Sequence, residues 1–143
     1  MNKKVILLGS LMLLFFMSCN SDKKAKINKS SIKIEGVSLD NTKLWQANSE
    51  TTEGIKKMQN LMQSFSEEEN VSAYASLKSN LEVEFTNIFQ KCTMNGEAHN
   101  QLHNYLKPMI GIFKGLESSD LKICQSNFKT LENRLAGYTN YFE

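Results

Sequence analysis

The two histidines of the chain, His99 and His103, lie four residues apart. On a helix that spacing puts both imidazoles on one face, where they can grip one ion or share a proton. Cys92 and Met94 come just before them, in the string Cys92-Thr93-Met94-Asn95-Gly96-Glu97-Ala98-His99. Imidazole with thiolate or thioether donors suits copper, or zinc. The expected ligand set is His99 and His103, with Met94 or Cys92 as third donor. A plainer reading stands beside it, in which both rings are core histidines that only need hydrogen-bond partners.

These side chains need elements to carry them, and hydrophobic periodicity supplies four helices. The first is expected over roughly 40–66, after the capping candidates of Ser38-Leu39-Asp40-Asn41-Thr42. Its inward stripe is Leu44, Asn48, Thr51, Ile55, Met58, Met62 and Phe65. Ser66 or Asn70 opens a second helix running to about Lys91, with Tyr74, Leu77, Leu81, Phe85 (or Glu84), Ile88 and Cys92 inward. A third, about 96–115, turns His99, Leu102 or His103, Leu106, Met109 or Ile110, and Phe113 inward, and Pro108 is expected to kink it. The fourth, 119–141, carries Leu121, Cys124, Phe128, Leu131, Leu135, Tyr138 and Phe142. Short loops between amphipathic helices make this an all-α, up-down-up-down four-helix bundle.

That topology puts the starts of the first and third helices at one end. Asn48 and Thr51 then fall beside His99 and His103, and are expected to orient the rings from a second layer. Cys124, near the start of the fourth helix, is about 20 Å from Cys92 at the helical rise. Disulfide formation needs Cα atoms within about 7 Å, so both thiols are expected to be free. Met58, Met62 and the aromatic stripes are core fillers.

Composition narrows the function. With 17 basic and 15 acidic residues, two of the basic ones in the first 18, the rest of the chain is close to neutral. No clustered basic face points to nucleic acid. No P-loop, nucleophile elbow, H-E-x-x-H, C-x-x-C-H or E-x-x-H pattern is present, so no enzyme is expected.

The amino terminus gives an address. Lys3 and Lys4 precede an apolar run from Val5 to Met17, too short to span a bilayer, which takes about 20 residues. Phe16-Met17-Ser18-Cys19 resembles the lipobox of bacterial lipoproteins, with Phe16 where that family usually has Leu. The resemblance implies a cleaved signal over 1–18 and diacylglycerol plus a further acyl chain on Cys19, hence a membrane-lipid anchor. Asn20 after the lipid site implies sorting to an outer membrane. Residues 19–37, polar and rich in Lys and Ser, are expected to be a flexible tether, leaving 38–143 as the bundle.

The strings Leu44-Trp45-Gln46-Ala47-Asn48-Ser49-Glu50-Thr51 and Cys92 to His99, with Leu102-His103, look like those of small bacterial lipoproteins with helical-bundle domains. That resemblance carries no activity with it. Two functions follow from the residues: a membrane-anchored metal-binding lipoprotein, copper favoured, or a non-enzymatic adaptor for an envelope protein or peptide with Trp45 as its anchor. A small-ligand cavity at the kinked third helix is a third option.

Overall fold

Asn48 decides where helix begins. Its carbonyl accepts from the N–H groups of Thr51 and Thr52 (3.1 and 3.2 Å), and the chain before it is extended. The computed structural model describes residues 32–143; the expected signal, Cys19 and the tether up to residue 31 lie outside them. Helix α1 spans Ser49–Ser64, α2 Val71–Lys91, α3 Gly96–Leu116 and α4 Leu121–Ala136, with a 3-10 turn at Tyr138–Asn140. Asn70 caps α2 by accepting from Ser72 N–H, and Asp120 caps α4 by accepting from Lys122 and Ile123 N–H.

Contacts fix the topology as antiparallel throughout. Asn48 at the start of α1 donates to the Lys91 carbonyl at the end of α2 (3.1 Å). Phe85 of α2 meets Phe113 of α3 edge-on, and Phe89 meets His103. Tyr105 of α3 reaches Arg134 of α4, and Phe65, just past the end of α1, packs at a tilt against Phe128 of α4. The result is an all-α four-helix bundle. At Gly54 the backbone of α1 lies so close to Ile88 that a Cβ there would overlap its side chain.

The expected stripes become the core. Thr51, Ile55, Met58 and Met62 of α1 are buried, as are Tyr74, Leu77, Leu81, Phe85 and Ile88 of α2. Met109 is buried, whereas Ile110 is 59% exposed. On α4, Cys124, Leu131 and Leu135 are buried.

Two expected boundaries move. The first helix starts at Ser49, not near 40, because Asp40–Lys43 makes a tight turn with Asn41 in the left-handed region (φ 56°). Asp and Asn satisfy backbone groups locally, so they stop a helix as readily as they cap one. The last helix ends at Ala136, not 141. Gly137 leaves room for Ile32 and Ile34, which a Cβ would strike.

The preceding segment is no tether over 32–37. Ile34 and Val37 are buried in the core, and burial of such side chains stabilises by about 1.5–3 kcal/mol each. Ile34 N–H donates to the Tyr141 hydroxyl (3.0 Å), Asn140 donates to the Ile32 carbonyl (2.9 Å), and Ser38 N–H to the Gln101 side chain (2.8 Å). Beyond the turn, Trp45 and Ala47 pair with Tyr141 and Glu143, closing the strap on the end of the chain. Trp45 is part of this closure: its indole N–H donates to the Ser38 carbonyl (2.6 Å), and it packs on the core instead of projecting as an anchor.

Helix α3 continues through Pro108 as one element. Proline has no N–H for the carbonyl of Asn104, four residues back. Arg134 takes its place, donating from Nη2 to Asn104 O (3.1 Å) and from Nε to Tyr105 O (2.7 Å). Tyr105, fully buried, returns a hydrogen bond from its hydroxyl to Arg134 O (2.8 Å), and the guanidinium lies 5.4 Å from its ring centre.

Removing this clamp should be measurable. Arg134→Ala should cost about 2 kcal/mol in urea unfolding, since hydrogen bonds from charged donors contribute about 1.5–3 kcal/mol. In a Pro108→Ala background the same change should cost about 1 kcal/mol less, because Asn104 regains a helical donor. Equal costs in both backgrounds would mean that Arg134 does not compensate for the proline.

Candidate metal centre

The α2–α3 loop sets the site. Cys92 is the residue after the last turn of α2, and only Thr93, Met94 and Asn95 separate it from α3. Gly96 opens α3 in the left-handed region (φ 59°), which glycine adopts without strain, so the loop reverses tightly. Cys92 is thereby folded back over the first turn of α3, where His99 stands.

His99 lies in the middle of a line of three groups. On one edge its Nδ1 is 3.6 Å from the Cys92 sulfur. On the other its Nε2 is 2.9 Å from Nε2 of His103, with ring centres 4.4 Å apart. In that second contact one nitrogen must carry the proton and the other must be bare. Cys92, His99 and His103 are all half-buried. Together with Ile88, Phe89, Leu102 and Leu106 they line a cavity of about 100 Å³. At about 30 Å³ per water, that is room for an ion and two or so waters.

The electrostatics are sparse. No carboxylate lines the cavity. Glu97, the acid nearest in sequence, is held by Gln101 and Asn100, which lower its pKa. Burial, followed by the neighbouring His99 and by Lys107, pushes the pKa of His103 below the ordinary imidazole value. The neutral ring, which is the ligand form, is the one the site favours.

The expected set of four donors is only partly brought together. Among the described residues, no three His, Cys, Asp or Glu side chains are gathered around a single ion. His99 and His103 do face each other, but Cys92 sits on the far edge of His99, where it is placed to hold the ring. Met94 packs against the core and is not among the residues lining the cavity. Asn48 and Thr51 share the bundle end but hydrogen-bond to other partners. Thr51 donates to Asn48 Oδ1 (2.7 Å), and Asn48 donates to Glu50 and the Lys91 carbonyl, so this pair fastens α1 to the end of α2. Cys124 is a free thiol like Cys92 but fully buried. It donates toward the carbonyls of Leu116 and Ser118, and burial raises its pKa, so it is inert.

Two contributors had no clear signal in the sequence. Phe89, 39% exposed, lies one position off the inward stripe of α2, yet its ring centre is 5.6 Å from that of His103. Gln101 is a polar residue buried beneath the strap, bonded to Ser38 N–H and Glu97, and it helps to fix the first turn of α3.

The depressed His103 pKa has a consequence for stability. The unfolded chain takes up a proton on this residue near the ordinary value of about 6.5, before the folded protein does. Stability is therefore full above that pH and falls as the pH drops through it toward the lower folded value. Replacing His103 by Gln should flatten the decline between about pH 7 and pH 5 in chemical denaturation. An unchanged pH profile in that variant would show that the ring is not disfavoured as a cation.

No protein-family model, curated protein or solved structure matches this chain.

Proposed function

We propose that this chain is a lipid-anchored protein of the bacterial envelope that binds copper, as Cu(II), between Nε2 of His99 and Nε2 of His103. The observation that carries the reading is their 2.9 Å separation. With metal–nitrogen bonds of about 2.0–2.1 Å, that spacing corresponds to an angle of about 90° at the ion. Tetragonal Cu(II) takes such an angle between neighbouring ligands, and tetrahedral zinc does not. The order of divalent affinities favours copper as well.

The remaining groups fit this role. With the ion on Nε2, the proton of His99 sits on Nδ1, facing the Cys92 sulfur at 3.6 Å. A partner on the non-ligating nitrogen is what fixes tautomer and ring orientation in imidazole sites. Water completes the coordination from the half-open side. The protein is a binding protein rather than an enzyme, held at the membrane through acylated Cys19 as the lipobox-like string implies. No helix among the described residues is long and apolar enough to cross a membrane.

Copper titration of the full-length protein in detergent micelles tests this. One equivalent of Cu(II) should bind more tightly than about 10 micromolar, or about 7 kcal/mol, and the His99→Ala/His103→Ala variant should lose it. Weaker binding, or binding that survives the double change, would return both histidines to a structural role and favour the adaptor reading.

A further inference from the structure

His99 presents two metal-sized notches, one on each edge of its ring. We infer that the second, between Nδ1 of His99 and the sulfur of Cys92, is a separate position for Cu(I), so that the oxidation state of copper selects the edge of the imidazole it occupies. This rests on the copper reading above.

The geometry differs between the two edges. A sulfur–nitrogen separation of 3.6 Å, with metal–sulfur and metal–nitrogen bonds of about 2.3 and 2.0–2.1 Å, gives an angle of about 110°. That is open for a square-planar ion and suits the low-coordinate, near-trigonal arrangements of a soft one. The donor chemistry agrees, since thiolate selects Cu(I) and paired imidazoles suit Cu(II). Charge agrees too. The cavity walls are Ile88, Phe89, Leu102 and Leu106, and no carboxylate lines it. Cu(I) paired with one thiolate is electrically neutral and loses little on leaving water, whereas Cu(II) between two neutral imidazoles keeps its charge and relies on water at the half-open side.

The two positions exclude each other, because a neutral imidazole has only one free lone pair in its ring plane. When Cu(I) binds Nδ1 and sulfur, the thiol proton leaves to solvent as the Cu–S bond forms, and no electron is transferred. The His99 proton then sits on Nε2, donating to Nε2 of His103 at 2.9 Å. When Cu(II) binds between the two Nε2 atoms, the proton sits on Nδ1, facing the sulfur. In either state the nitrogen that holds no metal already has its partner. Changing occupant therefore requires a change of tautomer and little movement of the ring.

The test is a crossed pair of titrations on the full-length protein in micelles, with Cu(I) measured anaerobically against bathocuproine disulfonate and Cu(II) measured in air. Cys92→Ser, which keeps a hydrogen-bond acceptor for His99 Nδ1–H but removes the soft donor, should weaken Cu(I) binding at least about a hundredfold and Cu(II) binding no more than about tenfold, with Cys92→Ala as a second variant. His103→Gln, which removes a Cu(II) ligand but keeps an acceptor for His99 Nε2–H, should weaken Cu(II) binding more strongly than Cu(I) binding. X-ray absorption of the Cu(I) form should show one sulfur neighbour that disappears in Cys92→Ser. If both Cys92 variants leave Cu(I) affinity unchanged, or His103→Gln weakens both ions alike, there is no second position, while normal Cu(II) binding would leave the copper reading in place. Cu(I) binding that depends on Cys92, in a protein without measurable Cu(II) affinity, would reverse that outcome. Binding of neither ion overturns both.

Discussion

Pro108 takes a backbone donor out of the middle of α3, and the way that loss is absorbed ties the helix to its neighbour. Arg134 supplies Asn104 and Tyr105 with donors from α4, and Tyr105 answers through its hydroxyl to the Arg134 carbonyl. The two residues thus bond in both directions between the same pair of helices. Arg134 is partly buried, which lowers its pKa without depriving it of charge at any ordinary pH. Around this clamp Tyr105, Tyr138 and Phe142 pack ring against ring. The face of α3 with Gln101 and Tyr105 is held by α4 and the strap, which leaves His99 and His103 on the side toward α2, where a stiff helix presents them at a fixed spacing.

Local pattern carried much of the fold. The period of Tyr74, Leu77, Leu81, Phe85 and Ile88 defines the buried face of α2 without outside help. The i, i+4 spacing of His99 and His103 made their meeting legible. What stayed hidden was long-range. The bonds that turn residues 32–47 into a strap join positions separated by 63 to 108 residues, such as Ser38 to Gln101 and Ile32 to Asn140. No periodicity announces such partners. Asp40, Asn41 and Thr42 are good helix caps and equally good turn formers, and tertiary pairing decided for the turn. The site shows the same division. That Cys92 lies near His99 followed from the short loop, but the edge of the ring it faces depends on side-chain torsions that spacing cannot give.

The site pairs few donors with a small, mostly apolar cavity and partial exposure. Two imidazoles and a thiol at a loop–helix junction form a shallow seat, and the absence of carboxylates from its lining keeps it from attracting hard divalent ions such as Mg²⁺ or Ca²⁺. The end of the bundle is nevertheless well ordered around it, because Asn48 joins α1 to the Lys91 carbonyl one residue before Cys92. Rigidity at the rim and openness at the centre suit a group that must be reached from solvent.

The closure of the strap also orders events in time. Trp45 and Ala47 are made before any of the four helices, and their backbone partners Tyr141 and Glu143 only after all of them. The hairpins of α1 with α2 and of α3 with α4 involve near neighbours and can form as the chain lengthens, whereas this pairing must wait until all four helices have been made. Until then Ile34 and Val37 have no core to enter. A growing chain therefore carries an apolar, unpaired segment ahead of α1 until α4 has emerged, the stretch that a holding chaperone would need to cover.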